Sequence, residues 1–182
     1  MTGPAVFLDR DGVLIEAPLV DGRPVAVHEA EAMVVLPGVV DALGELRAAG
    51  LVLVCVTNQP DVARGLVDAE IVDRANRFLS AHLGLDAVRC CPHDDPDPFG
   101  CRKPAPGLIV DAAAELDLDL SRSVVVGDRW RDVEAGRRAG CRTVFVDRDY
   151  DERIPTSPDT VVRELGQAVP WIVAATGGSR VR

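Results

Sequence analysis

Aromatic side chains are nearly missing from this sequence, at 4% of 182 residues, so its core has to be assembled from Val, Leu, Ile and Ala. A surplus of positive charge is also lacking. The formal net charge is -9 and the isoelectric point lies near 4.8, which argues against nucleic acid or a polyanionic surface as partner. A small phosphorylated ligand stays compatible, because a metal and a few local cations invert the field of a site. No apolar run reaches the length of a membrane span. Met1 to Ala5 has neither basic nor apolar leader character. The expectation is a cytoplasmic protein without membrane contact. Five cysteines, an odd number, fit a reduced compartment better than a disulfide framework. Internal repeats are absent, and the short acidic patch from His93 to Asp97 is the one low-complexity tract. One domain with a sizeable core is expected over residues 1–175, with a disordered tail over 176–182 and a monomer or weak dimer in solution.

What is present is organised around its start, Ala5-Val6-Phe7-Leu8-Asp9-Arg10-Asp11-Gly12-Val13-Leu14. Four apolar residues in a row read as a strand buried on both faces. Two carboxylates and a glycine follow, which puts charge at the carboxyl edge of a sheet, where open α/β folds build their sites. In an extended chain Asp9 and Asp11 point the same way and repel. A hard cation such as magnesium relieves that conflict. The competing reading is a capped strand end followed by an ordinary turn.

Further strands are expected at Leu51–Val56, Ala87–Cys91, Ser123–Val126 and Arg142–Val146, with a short one at Thr160–Val162. Helices are expected between them. Leu36-Pro37-Gly38 opens one with Val39, Val40, Leu43 and Leu46 inward. Val67-Asp68 caps a second, with Ile71, Val72, Ala75, Phe78 and Leu79 on one side. Pro104 starts a third, a fourth runs from Asp128 to Ala139, and the last passes through Trp171. The irregular stretch 15–35, with Pro18, Asp21-Gly22 and Pro24 as turn signals, is too long for a simple connection and reads as a flap over the strand ends. Alternating strands and helices predict an α/β fold, a Rossmann-like three-layer α/β/α sandwich around a parallel sheet, without a large cap. All strand ends then lie on one edge. There Asp9 and Asp11, Thr57 and Asn58, Lys103, and Asp128 and Asp132 should converge.

Such a set suits phosphoryl transfer. A carboxylate attacks phosphorus, a metal bridges carboxylate and phosphate, and a second acid protonates the leaving alcohol and later activates water. A hydroxyl and a fixed cation hold the remaining oxygens. Asp9 fits the nucleophile, Asp11 the acid/base, Thr57 the hydroxyl, Lys103 the cation and Asp128 the distal metal ligand. Taken singly, each has an ordinary structural explanation as a cap or a solvated residue. A receiver-type signalling module also combines acids, Thr, Lys and magnesium, but has no acid two residues beyond its phosphoacceptor. An inactive scaffold is the third class.

F-L-D-R-D-G-V, V-T-N-Q-x-x-x-A-R-G, C-P-H, C-R-K-P-x-P-G and V-V-G-D-R-W-R-D, in that order, resemble the haloacid dehalogenase superfamily of phosphatases. More narrowly they are similar to its small capless branch, which contains heptose-bisphosphate and histidinol-phosphate phosphatases. The resemblance spans residues 5 to 147. It implies Asp9 as nucleophile and Asp11 as proton donor, with magnesium on Asp9, the Asp11 carbonyl and Asp128. Asp132 would stand behind these ligands. Thr57 and Lys103 would hold the transferring group, Arg102 and Arg129 a second phosphate, and Asn58 and Arg64 would line the pocket. The substrate implied is a small sugar phosphate, a heptose bisphosphate first and histidinol phosphate second.

In the relatives the loop 91–103 carries a structural zinc on C-x-H and C-x-C. Cys91, His93 and Cys101 match three positions, while Phe99 stands at the fourth and cannot bind metal. Asp94, Asp95 or Asp97 could add an oxygen; Cys90 should point away. The alternative is a metal-free loop held by Pro92, Pro96 and Pro98 with Phe99 packed inward. Ile15-Glu16 and Pro60-Asp61 also depart from the family pattern, on the substrate side. His28 and His82 read as surface or packing residues, Cys55 and Cys141 as core, Trp130 as an anchor against the sheet, and Arg137-Arg138 as a solvated helix end.

Overall fold

The structure, a computed structural model, describes residues 3–96 and 98–177. In chain order it holds β1 (Ala5–Leu8), the short strands β2 (Leu19–Val20) and β3 (Arg23–Pro24), α1 (Val39–Ala48), β4 (Val52–Asn58), α2 (Ala69–Leu83) and β5 (Ala87–Cys91). There follow α3 (Gly107–Leu116), β6 (Val124–Gly127), α4 (Trp130–Ala139), β7 (Arg142–Val146), β8 (Thr160–Val162) and α5 (Leu165–Thr176). Six strands form one sheet in the order β5-β4-β1-β6-β7-β8, every neighbouring pair parallel. β1 lies inside the sheet, paired through Phe7 with Val54 on one side and Val125 on the other.

The two-residue period of the strands divides the core. Val6, Leu8, Leu53, Cys55, Val124 and Val126 face a layer made by α1, α5 and the end of α2. Ala5, Phe7, Val54, Val56 and Val125 face α3 and α4. With helices on both faces, the apolar runs of β1 and β6 are buried at every position. Among the described residues no helix is long and apolar enough to cross a membrane.

Several expectations need correction. Val40 and Phe78 do not face inward but are 61% and 49% exposed. In α1 the inward place goes to Ala42. In α2 it goes to Asn76, which bonds a buried arginine, while Phe78 stacks on His82 outside. The third helix starts at Gly107 instead of Pro104, so Lys103 sits on a loop ahead of it. The fourth starts at Trp130, with Arg129 rather than Asp128 at its cap. Trp130 is not packed against the sheet; it lies half-buried between the guanidinium groups of Arg131 and Arg153, at 4.9 and 4.6 Å. Thr176 belongs to α5, where its hydroxyl donates to Ile172 O, so the expected tail cannot begin there; its part from 178 to 182 lies outside the described residues. The flap is partly ordered as the β2–β3 hairpin, with a single 3-10 turn at Ala30–Ala32.

Candidate active site

β1, β4 and β6 all end at one rim of the sheet, and the cleft above them has a volume of about 420 Å³. Its floor holds Asp9, Thr57, Lys103, Asp128 and Asp132, each less than a tenth exposed. Lys103 Nζ donates to Asp9 Oδ1 at 2.7 Å and to Val56 O at 2.8 Å, and pairs with Asp132 Oδ1 at 2.6 Å. All three of its N–H bonds are thus committed. Burial opposes the charge on this amine, but the pull of Asp132 and Asp9 outweighs it and holds the ammonium form above its ordinary range. Lys103 is the one lysine of the chain, every other fixed cation being an arginine. That singularity is a sequence signal in its own right. A compact ammonium fits between two carboxylates and a carbonyl where a planar guanidinium would not.

Asn58 clamps the loop that carries Lys103: its Oδ1 accepts from Lys103 N and its Nδ2 donates to Lys103 O, both at 3.1 Å. Asp132 has both oxygens engaged, one with Lys103 and one accepting from Arg129 N at 3.0 Å. It therefore anchors the lysine and caps α4. Thr57 Oγ1 accepts from Gln59 Nε2 at 2.9 Å.

Asp128 differs from its neighbours. Both of its oxygens are buried and neither is held by a cation or a backbone donor; among the described residues the Tyr150 phenol, close to the same spot above Gly12, is the one group near enough to hydrogen-bond it. Burial first, then the charges of Asp9 and Asp132, push its carboxyl well above the usual carboxylate range. One ligand atom from each of Asp9, Asp128 and Asp132 lies within 4.8 Å of the others. Three buried carboxylates at that separation with one ammonium among them are unfavourable and suit a hard divalent cation. Glycine at position 12 lets the Asp128 carboxylate lie directly against the backbone of the turn after β1. A Cβ at Gly12, where φ is +86°, would collide with the Asp128 carboxylate. The donor set therefore fits magnesium.

Arg64, Arg102, Arg129 and Arg131 line the rim, and each of these four is already held by an acid. Arg64 pairs with Asp94 at 2.6 Å and Asp61 at 3.0 Å, Arg102 with Asp95 at 3.0 Å, Arg131 with Asp95 at 3.0 Å, and Arg129 with Glu152. The hydrogen bond from Arg64 holds the Asp94 carboxyl down at about 2. Arg131, Glu152 and Tyr150 carry no distinct signal in the sequence. Arg131 sits inside a motif otherwise read for its aspartates, and the other two follow β7, beyond the recognisable stretch. A second cleft of about 560 Å³ lies between the flap and α2 and contains none of Asp9, Asp11, Asp128 and Asp132.

The loop after β5 brings together Cys91 Sγ, His93 Nδ1 and Cys101 Sγ, with His93 3.1 Å from Cys101 and Cys101 2.7 Å from Cys91. Cys90 turns to the opposite side, toward Arg10 and Asn76. Phe99 is not packed inward in place of a metal: it is 72% exposed, and its ring stacks on His93 at 4.5 Å. The ring therefore covers the imidazole from outside. Asp97, the remaining oxygen donor considered, lies outside the described residues.

Residues 100–168 match the HAD-hydrolase-like family model. A D-glycero-D-manno-heptose-1,7-bisphosphate 7-phosphatase of Thermosynechococcus vestitus is 36% identical, over 94% of this chain and 96% of that protein. The chain belongs to the HAD-like hydrolases. Within that family, a D-glycero-beta-D-manno-heptose-1,7-bisphosphate 7-phosphatase of Bordetella bronchiseptica is 38% identical over 75% of this chain and 76% of its own. The fold agrees. The crystal structure of the B. bronchiseptica heptose bisphosphate phosphatase, complexed with magnesium and phosphate, superposes with a TM-score of 0.79 at 30% identity and covers 94% of this chain and 98% of its own. The corresponding enzyme of Burkholderia thailandensis gives 0.64 at 25% identity, over 94% and 99%.

Proposed function

We propose that the chain is a magnesium-dependent phosphatase of a small sugar bisphosphate, D-glycero-D-manno-heptose 1,7-bisphosphate cleaved at position 7. The observation that carries this is the buried Asp128 carboxylate, which no cation pairs, beside an Asp9 gripped by Lys103. The names of the relatives support the substrate. Asp9, Asp128 and the Asp11 carbonyl would hold the magnesium, which when bound supplies neutralisation of the charge shared by carboxylate and phosphate.

Asp9 is the nucleophile. One of its oxygens bonds to phosphorus while the bond from phosphorus to the sugar oxygen breaks, and the Asp11 carboxyl gives that oxygen its proton. Water then attacks the aspartyl-phosphate, Asp11 takes the water proton, and inorganic phosphate leaves with Asp9 restored. Lys103 and Thr57 hold the transferring group, and Asn58 fixes Lys103 through its backbone. The rim arginines Arg64, Arg102 and Arg129 take up the second phosphate, exchanging acid partners for it. The domain reading of one catalytic unit over 1–175 accompanies this proposal.

A phosphate-release screen with magnesium tests it, with heptose and hexose bisphosphates beside histidinol phosphate. The highest kcat/KM should fall on heptose 1,7-bisphosphate. Failure to release phosphate from any ester would end the proposal. Arg102→Ala should raise KM for bisphosphates by about tenfold, in line with loss of a charge-assisted contact, and leave p-nitrophenyl phosphate hydrolysis within about twofold. Equal losses on both would remove the recognition role.

We further propose that Cys91, His93 and Cys101 hold a structural zinc. Soft sulfur and imidazole donors favour zinc over magnesium. Protein purified without chelator should carry about one zinc per chain, and elemental analysis finding under about a tenth would retire the idea.

A further inference from the structure

Both oxygens of Asp11 are held by donors from three separate parts of the chain. Arg10 Nε donates to Oδ2 at 3.0 Å and Arg10 Nη2 to Oδ1 at 3.3 Å. Gln59 Nε2 donates to Oδ2 at 3.0 Å. The third donor belongs to the flap: Val27 N–H reaches Oδ1 at 3.0 Å. Arg10 also grips the other side of the same flap residue, since its Nη2 donates to Val27 O at 2.6 Å, and its Nη1 donates to Asn76 Oδ1 of α2 at 2.8 Å. The guanidinium is completely buried, and its ion-pair partner is Asp11.

A buried charge of this kind is costly unless every donor is used. Here its fork spans an acid, a flap carbonyl and a helix side chain, a division of contacts that an ammonium cannot reproduce. Val27 is thereby pinned from both sides, by Asp11 at its N–H and by Arg10 at its carbonyl. The flap cannot lift at Val27 without breaking one hydrogen bond to the Asp11 carboxyl and one from Arg10.

We propose that Arg10 is a positioning residue which, together with Val27 of the flap, holds the Asp11 carboxyl at the cleft, from which it protonates the leaving oxygen once one of its four donors gives way to the proton. Leaving-group protonation thus depends on a seated flap. This rests on the acid–base role of Asp11 proposed above. Orientation of a proton donor matters steeply for the rate, and it matters only for leaving groups that need a proton. An alkoxide needs one as the bond from phosphorus breaks; a dinitrophenolate does not.

The test is kcat/KM for phosphate monoesters ranging from 2,4-dinitrophenyl to primary alkyl, in wild type, Arg10→Lys, Asn76→Ala and Asp11→Asn. Asp11→Asn should lose about 10²–10⁴-fold on alkyl esters and only a few-fold on the dinitrophenyl ester. Arg10→Lys should show the same trend with a shallower slope, about a tenfold loss on alkyl esters and almost none on the dinitrophenyl ester, and Asn76→Ala a loss of about threefold on alkyl esters. Losses of equal size across the series in the Arg10 and Asn76 variants would mean a merely structural role and overturn the proposal, as would no loss. If Arg10→Lys does not fold, Asn76→Ala decides, because it keeps the guanidinium and removes one of its holders. A flat series in Asp11→Asn would overturn the acid–base reading itself, and the positioning role with it.

Discussion

Asp9→Asn is expected to abolish turnover, with kcat down by about 10⁴-fold or more, equivalent to about 5.5 kcal/mol of barrier. An amide oxygen does not attack phosphorus under these conditions, so the covalent route closes. The fold should survive. Lys103 keeps Asp132 and Val56 O when the Asp9 charge is removed, and the Asp9 N–H to Val126 O bond belongs to the backbone. Steady-state phosphate release checks the rate, and acid-quenched turnover with labelled substrate checks for phosphoprotein in wild type and its loss in the variant. Intact mass must verify the Asn, since slow deamidation regenerates the nucleophile. A variant turning over at close to the wild-type rate would rule out the aspartyl-phosphate.

Asp128→Asn should have two opposite effects. Activity falls with the loss of a buried carboxylate that no cation or backbone donor holds, while metal-free protein becomes more stable by about 1–2 kcal/mol. Asp128 in the folded protein has its carboxyl raised above the ordinary value by burial and by the charges of Asp9 and Asp132. The folded state therefore binds that proton more tightly than the unfolded state does. Stability from this group is lost as pH rises from the ordinary carboxylate range through the raised value. The gain in Asp128→Asn should accordingly be full above that raised value and vanish as pH falls below it. Thermal unfolding with and without magnesium measures this without any assay of turnover. Magnesium should raise the wild-type Tm and leave the variant's unchanged. A variant as responsive to magnesium as wild type would remove Asp128 from the ligand set.

The legible parts of this protein share a physical cause. β1 and β6 are buried on both faces, so their apolar runs are continuous and stand out. Their ends must be sheet ends, and that alone places Asp9 and Asp128 at one rim. Lys103 was visible through its neighbours Arg102 and Pro104, though not as the first residue of a helix. The helix faces were less legible. Val40 and Phe78 are apolar yet exposed, because periodicity identifies a stripe but not its edges. Asn76 faces inward since a buried arginine needs an acceptor there.

From sequence alone came the α/β order, the strand-end acids and the family, because these depend on local pattern and chain order. The tertiary structure decided the pairings. It showed that Asp132 steadies Lys103, that Glu152 holds Arg129, and that Val27 sits between Arg10 and Asp11. Such contacts join residues far apart in the chain, and a side chain's partner is set by where the backbone brings it, which no spacing rule encodes.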